Sequence, residues 1–207
     1  MADAISVQNF EQRAEAILQN LRSDPKTKSI TEGVCVPFFL PKADYPDYGE
    51  ALEKVYLPAV KNAFSEKFPQ YECVNHHKAS LAGTLRITPE SRHERLDAGM
   101  QQDQVVGYYF PCLMEYSVPA AIEQMAALPE QFLLAGGFDT SAAMTGSPDL
   151  LLRTDGYPPL LWLSALKDAN TQAGYHFEAY GYTLTFNRRS HLGQVAEYWT
   201  SGLVVMG

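Results

Sequence analysis

The segment Cys73–His77 (CVNHH) brings one thiol and two imidazoles close together in the sequence. Cysteine and histidine are preferred zinc ligands, but a structural zinc site needs four ligands and normally a second close pair. The sequence contains no CxxC, HxxxH or HExxH motif, and Cys35, Cys112 and His93 are isolated. Neighbouring side chains on a strand point to opposite faces, so we expect one packed and one exposed histidine at a strand end, and no metal centre.

The cysteines and serines give little support to nucleophilic catalysis. A catalytic cysteine needs a nearby histidine and a third group that orients it. Cys35 and Cys112 lie among apolar residues, which favours buried, inert thiols. There is no GxSxG motif, and the SxxK pattern occurs at Ser164–Lys167 and also at Ser23–Lys26, where a turn is expected. Nucleotide motifs of the GxxxxGK[ST] or GxGxxG type are absent, so we predict no catalytic residue and no cofactor.

One segment carries a local likeness to a known family. The residues from Ser147 to Gly156 (SPDLLLRTDG) resemble the diphosphate-binding strand and loop of cis-prenyltransferases. That family continues with a second arginine and a Ser-Asn pair, whereas Tyr157–Leu160 (YPPL) follows here, and its N-terminal Asp-Gly-Asn-Gly-Arg signature is absent. Basic residues that would hold a diphosphate are also absent. We interpret the segment as an apolar strand that ends in a polar turn.

The first half of the chain contains two helical patterns. From Ser6 to Leu21, apolar residues recur every three or four positions, which predicts an amphipathic helix that ends at Asp24-Pro25. A second pattern runs from Leu52 to Phe64. Pro58 interrupts it, so we expect either a kink or a second helix with Pro58 in its first turn.

Alternation of apolar and polar residues predicts several strands. One lies at Leu81–Ile87, a second, indicated instead by its β-branched and aromatic residues, lies at Val105–Val118, and Tyr180–Phe186 is followed by a returning strand at Val195–Met206. The last two flank the basic segment Asn187–Gly193, and we interpret them as a β-hairpin.

Helices and strands are segregated along the chain rather than alternating. Besides the elements above, we predict a short helix over Pro119–Leu128, a loop over residues 138–148 and a helix over Pro158–Lys167. This order favours an α+β fold with a mainly antiparallel sheet, an N-terminal helical part and a C-terminal β-hairpin. We predict a single domain over residues 1–207.

The charge of the chain is strongly uneven. It has 24 acidic and 16 basic side chains, a net charge of −8, which argues against sequence-independent binding of nucleic acid. From Leu96 to Glu178 there are ten carboxylates but only two cations, Arg153 and Lys167. Such a segment is either a solvated surface or an acidic face that attracts a basic partner. Three scattered cysteines, no signal peptide and no apolar stretch of membrane-spanning length lead us to expect a cytoplasmic protein.

Dense aromatic and aliphatic clusters lie beside prolines in three places. Residues of this type mostly belong to a core, but they also anchor interfaces between proteins. We select five as candidate partner-binding residues. They are Tyr108, Tyr109, Tyr157, Leu160 and Trp162.

The opening MADAISVQNFEQRAEAILQNLRSDPK, the chain length and the acidic balance resemble the LvgA-type accessory adaptors of the Dot/Icm type IV secretion coupling complex of Legionella. The resemblance implies a non-enzymatic, chaperone-like subunit that helps to recruit effector substrates. It also implies binding to IcmS, IcmW and the C-terminal tail of the coupling ATPase DotL, with recruitment to the inner-membrane face through these partners. No individual contact residue follows from it.

Two functions of different classes remain open from the sequence. The first is the adaptor, which would bind other proteins through apolar patches and an acidic surface. The alternative is a small cytoplasmic enzyme with an unmarked small-molecule pocket. A deep pocket that gathers His76, His93 or His176 with a carboxylate would favour the enzyme.

Overall fold

The N-terminal helix begins and ends where the sequence predicts, in a computed structural model that describes residues 5–152, 160–169 and 172–207. Helix α1 spans Val7–Ser23, and the Ser6 side chain caps it by accepting a hydrogen bond from the backbone N–H of Asn9 at 3.2 Å. Its buried face carries the predicted apolar residues.

The second helical stretch is continuous but contains an irregular turn. Helix α2 (Tyr48–Ala51) passes through a π-helical turn (Leu52–Tyr56) into helix α3 (Leu57–Lys67). Pro58 lies in the first turn of α3, which is one of the two predicted arrangements. The proline is tolerated there because the regular i→i−4 pattern is already interrupted just before it, where the Leu57 N–H donates to the Leu52 carbonyl oxygen five residues back.

The described chain further contains ten strands, three α-helices and two short 3₁₀ helices, Lys28–Glu32 and Met125–Ala127. The helices are α4 (Glu94–Gln102), α5 (Val118–Gln124) and α6 (Gly137–Gly146). The strands are β1 (Val36–Leu40), β2 (Cys73–Asn75), β3 (Leu85–Ile87), β4 (Val105–Met114), β5 (Leu133–Leu134), β6 (Leu160–Trp162), β7 (Leu166–Asp168), β8 (Gly174–Tyr180), β9 (Thr183–Arg189) and β10 (Trp199–Met206). No helix among the described residues is both long and apolar enough to cross a lipid bilayer.

The strands form one large mixed sheet and one small sheet. The order of the large sheet is β1-β4-β10-β6-β8-β9-β2, with β5 paired to β10, while β3 and β7 pair separately. Within the described residues, β10 with β6 and β2 with β9 are the parallel pairs, and the other pairs are antiparallel. The α+β class and the mainly antiparallel sheet are therefore confirmed.

Both faces of the large sheet are covered by apolar packing. On one face, the sheet packs against α3 and α6 through residues such as Phe64 and Phe138. On the other face, it packs against α1 and α5 through residues such as Leu18 and Ala121. The central strands therefore need apolar side chains on both sides, and they read as continuous apolar runs rather than as alternating ones.

Two of the local predictions are wrong, and two predicted strands are shorter than expected, since Leu81–Ile87 is strand only over Leu85–Ile87 and Val105–Val118 ends at Met114. Residues 138–146 form helix α6 rather than a loop, because Phe138, Ala143 and Met144 are buried against neighbouring elements and this burial outweighs the low helix propensity of the segment. The predicted helix over Pro158–Lys167 contains strands β6 and β7 in its described part. A short apolar run buried on both faces has no periodicity that separates a helix from a strand.

The C-terminal hairpin exists, but its strands differ from those predicted. Strands β8 and β9 pair directly, and the turn between them contains Gly181 at φ +61°. Glycine adopts this left-handed conformation without steric cost, so the turn falls inside the segment predicted as one strand. Strand β10 does not pair with β9 but lies between β4 and β6 in the middle of the sheet.

The N-terminus of helix α6 is buried, and side chains satisfy its backbone N–H groups. The Gly136 N–H donates to both carboxylate oxygens of Asp139 at 3.0 Å. The N–H groups of Gly137 and Phe138 donate to the Tyr48 hydroxyl oxygen at 2.8 and 3.2 Å. The Tyr48 ring stacks on that of Phe138, with 4.0 Å between centroids. A helix start without such partners would leave buried donors unpaired, which is costly.

Gly136 leaves no room for a side chain, so we predict that Gly136→Ala destabilises the protein by about 1–3 kcal/mol. A Cβ atom there would lie 2.5 Å from Nε2 of His93. The His93 ring is fully buried and donates from Nδ1 to the Leu134 carbonyl oxygen at 2.9 Å, so it cannot move away freely. Urea denaturation measures the change. Gly193→Ala is the control because no atom lies within 4 Å of its Cβ position; equal midpoints for the two variants would contradict the prediction.

Candidate functional site

Leu160 and Trp162, two of the candidate partner-binding residues, are buried in a small apolar cluster. Trp162 is 1% exposed and contacts Trp199 edge to face, with 5.6 Å between ring centroids. Leu160 is fully buried in the same cluster. Tyr157 lies outside the described residues. The expectation that this aromatic cluster lies on the surface is therefore wrong for Leu160 and Trp162, which stabilise the fold.

Tyr108 and Tyr109 are also core residues rather than surface residues. They are neighbours on β4, so their side chains point to opposite faces of the sheet, and each joins a different core cluster. Gly202 on β10 lies directly under the Tyr109 ring, where a Cβ atom would come within 2.4 Å of it. The continuous apolar run from Val105 to Phe110 is the sequence pattern that indicates a strand covered on both faces.

The three cysteines are thiols in partly buried positions. Burial raises the pKa of Cys112 to about 12, and burial also raises the pKa of Cys35 and of Cys73. Thiols with raised pKa values are weak nucleophiles at neutral pH. In the part of the chain that the structure describes, no three histidine, cysteine or acidic side chains are grouped to hold a metal ion. His77 contacts Tyr175 edge to face instead, at 5.2 Å between centroids.

His176 lies in a charged network inside the sheet rather than in a pocket. Its ring is fully buried, and Nε2 lies 3.6 Å from the Glu178 carboxylate. The Arg189 guanidinium donates to the same carboxylate at 3.0 and 3.2 Å and lies over the Trp199 ring. Burial lowers the pKa of His176, whereas the His176 ring and then Arg189 lower the pKa of Glu178. No substrate could reach this imidazole without opening the sheet face, so the network has a structural role.

Two concave surfaces bring a histidine and a carboxylate together and so bear on the enzyme alternative. One, of about 310 Å³, is lined by His76 and Glu178 and is open to solvent. The other is a hollow of about 220 Å³ that is lined by His93 and Glu90, with Ser91 and Ser164. The Ser164 hydroxyl is 2.7 Å from that of Ser201, so it is hydrogen-bonded away from His93. Small-molecule sites usually enclose about 300–1,000 Å³. The hollow is therefore smaller than a typical substrate pocket.

A larger apolar groove runs beside helix α5. Its volume is about 560 Å³, and α5, strand β7 and the segment from Ser190 to Gln194 surround it. Val118, Ile122 and Leu192 supply apolar surface, and Ile122 remains 44% exposed. We call this feature the α5 groove. Thr88 and Ile122 line both the groove and the His93 hollow, so the two are adjacent.

Half of the ten carboxylates from Leu96 to Glu178 are buried or form ion pairs. Asp139 and Asp168 are buried, and Asp168 accepts a hydrogen bond from the Tyr175 hydroxyl at 2.9 Å. Three further carboxylates lie in ion pairs: Glu130 with Arg92, Asp149 with Lys67 and Glu178 with Arg189. Glu130 and Asp149 are exposed within their ion pairs, and further exposed carboxylates lie at Asp103, Glu115 and Glu123. The surface of this segment is therefore less acidic than its composition suggests.

We predict that the free energy of unfolding falls as the pH decreases from about 6.5, the usual histidine pKa. His176 has a lowered pKa in the folded state, so only the unfolded chain takes up its proton in this range, and acid favours unfolding. His176→Asn should flatten this part of the stability curve. Urea denaturation at several pH values tests it, with the exposed His191→Asn as control. An unchanged slope in His176→Asn would count against the prediction.

No family model, curated protein or solved structure matches the chain. The functional interpretation therefore depends on the geometry of the α5 groove and of the other surface features.

Proposed function

We propose that the protein is a non-enzymatic adaptor that binds other proteins through the α5 groove. The observation that carries this proposal is the apolar groove itself, with Ile122 left 44% exposed at its edge. When a partner covers an apolar side chain that is in contact with water inside a concave surface, the free energy of the complex is lowered. The lining of Val118, Ile122 and Leu192 suits apolar side chains of a partner.

Among the described lining residues of the groove, the exposed charge is that of Lys167, which is opposite in sign to the net charge of −8 of the chain. Lys167 and His191 are exposed at the groove, while its one lining carboxylate, Asp168, is buried among the described residues. Polar and charged rims around an apolar centre are typical of protein interfaces. This arrangement supports a partner whose apolar anchors are flanked by acidic residues.

The setting that we propose for this adaptor is a type IV secretion coupling complex. The support is the sequence resemblance to the LvgA-type accessory adaptors. In this setting the partners would be IcmS, IcmW, the C-terminal tail of DotL and secreted effectors. The protein would then reach the inner-membrane face through its partners.

A small-molecule enzyme is the second candidate because His93 and the hydroxyl-bearing residues Ser91 and Ser164 meet at one hollow. The Ser91 hydroxyl is buried without a hydrogen-bond partner among the described residues, so a small polar ligand could satisfy it. A metabolite that raises the melting temperature of the wild type but not of Ser91→Ala would favour the enzyme.

We predict that Ile122→Glu reduces capture of the specific partner at least about tenfold, because a carboxylate would be desolvated in the apolar groove. Affinity purification from the native cell, followed by mass spectrometry, identifies the captured proteins. Binding of purified IcmS–IcmW and of the DotL tail tests the proposed setting directly. Stability should change little because the Ile122 side chain is partly exposed.

Val7→Glu is the matched control, since Val7 is 74% exposed on α1 and does not line the groove. The proposal fails if the native protein is a monodisperse monomer without a partner. It also fails if Ile122→Glu and Val7→Glu capture the same partners to the same extent. Binding by wild type to a partner other than the Dot/Icm proteins would retain the adaptor but reject the proposed setting.

A further inference from the structure

A second concave surface lies at the β2 end of the large sheet, between helix α3 and strand β2. It encloses about 390 Å³ and shares no described lining residue with the α5 groove. Leu57 and Val60 of α3 form one wall, and β2 forms the other. Phe177 and Phe186 form its floor, and both rings are otherwise buried. We call this feature the edge slot.

Strand β2 is the last strand of the large sheet, so no strand among the described residues lies beside its other edge. The Glu72 carbonyl accepts from Leu184 N–H, and His76 N–H donates to the Phe186 carbonyl, each at 2.9 Å. In a parallel ladder, alternate residues bond to the same neighbour, so the backbone groups of Cys73 and Asn75 point toward the open edge. The Asn75 carbonyl accepts a hydrogen bond from the exposed Lys78 ammonium at 2.6 Å, which an added strand would displace. Main-chain hydrogen bonds to such an edge do not depend on the side chains of the added strand.

The two charged side chains that line the edge slot differ in their interactions with the rest of the protein. Glu53 accepts hydrogen bonds from the Ser80 hydroxyl at 2.9 Å and from the Leu81 N–H at 2.8 Å. Lys61 is exposed and forms no ion pair with any residue that the structure describes. Its ammonium lies close enough to the Cys73 thiol to oppose the rise in the pKa of that thiol that burial causes. The slot therefore presents an unpaired positive charge beside an apolar floor.

These features together indicate which kind of ligand the edge slot can bind. The apolar floor suits one large apolar side chain, the Lys61 ammonium suits a carboxylate, and the edge of β2 suits an extended backbone. A free small carboxylate would use the first two features but not the third. An extended peptide uses all three.

We infer that the edge slot binds a short extended peptide that adds as a strand to β2, inserts one apolar side chain toward Phe177 and Phe186, and places an acidic residue at Lys61. The site is separate from the α5 groove and does not depend on it. The protein would therefore hold two different polypeptide segments at once.

The test uses fluorescein-labelled, C-terminally amidated peptides Ser-Thr-X-Thr-Asp, in which X is each standard amino acid in turn. Fluorescence anisotropy measures affinity, and nitrogen-15 NMR of the full chain locates the contact. We expect the tightest binding when X is a large apolar residue, with shifts of the amide signals of β2. Replacing the Asp by Lys, or Lys61 by Glu in the protein, should weaken binding about fivefold or more.

Lys26→Glu is the matched control, because Lys26 is exposed and does not line the slot. Peptide binding should be unchanged in this control and in Ile122→Glu, which separates this inference from the proposed adaptor function. Three results would overturn the inference. They are no binding by any peptide, equal binding by wild type and Lys61→Glu, and binding of 3-phenylpropionate as tight as that of the best peptide without shifts in the β2 amides.

Discussion

The burial of both faces of the central strands is the constraint on which the rest of the structure depends. Strands β4 and β10 pair along their length and contribute side chains to the clusters on both sides. Their packing needs helices α3 and α6 on one face and α1 and α5 on the other. The close approach of the two strands requires a glycine at position 202, because the Tyr109 ring occupies the space that a Cβ atom would need there. The aromatic residues of β4 are therefore unavailable as partner anchors.

Periodicity predicts those elements of the chain that have one buried face. Helix α1 is the clearest example, because its other face is in solvent and its cap, Ser6, is a typical residue for that position. Helix α6 could not be predicted in this way, since most of its residues are buried and its N-terminus is satisfied by Tyr48, far away in the sequence. The turn at Gly181 did carry a local signal, a glycine within an aromatic strand pattern.

The candidate surfaces were harder to predict than the fold because they are formed by residues distant in the sequence. The α5 groove combines α5 with β7 and the segment after β9, and the edge slot combines α3 with β2. No pattern in the sequence indicates that Ile122 is exposed or that Lys61 has no ion partner among residues 5–152, 160–169 and 172–207. The composition also suggests a more acidic surface than the structure has, because a sequence does not distinguish buried or ion-paired carboxylates from exposed, unpaired ones.

The central position of β10 has a consequence for how the protein is made. Strand β10 follows every other strand in the chain, yet it pairs with β4, β5 and β6. During synthesis, β4 and β6 therefore each have one edge that stays unpaired until residues 199–206 have left the ribosome. Sheets closed by such distant segments fold slowly, and their waiting edges are prone to aggregate. The pairing of β10 with β4 and β6 is thus the step that completes the large sheet.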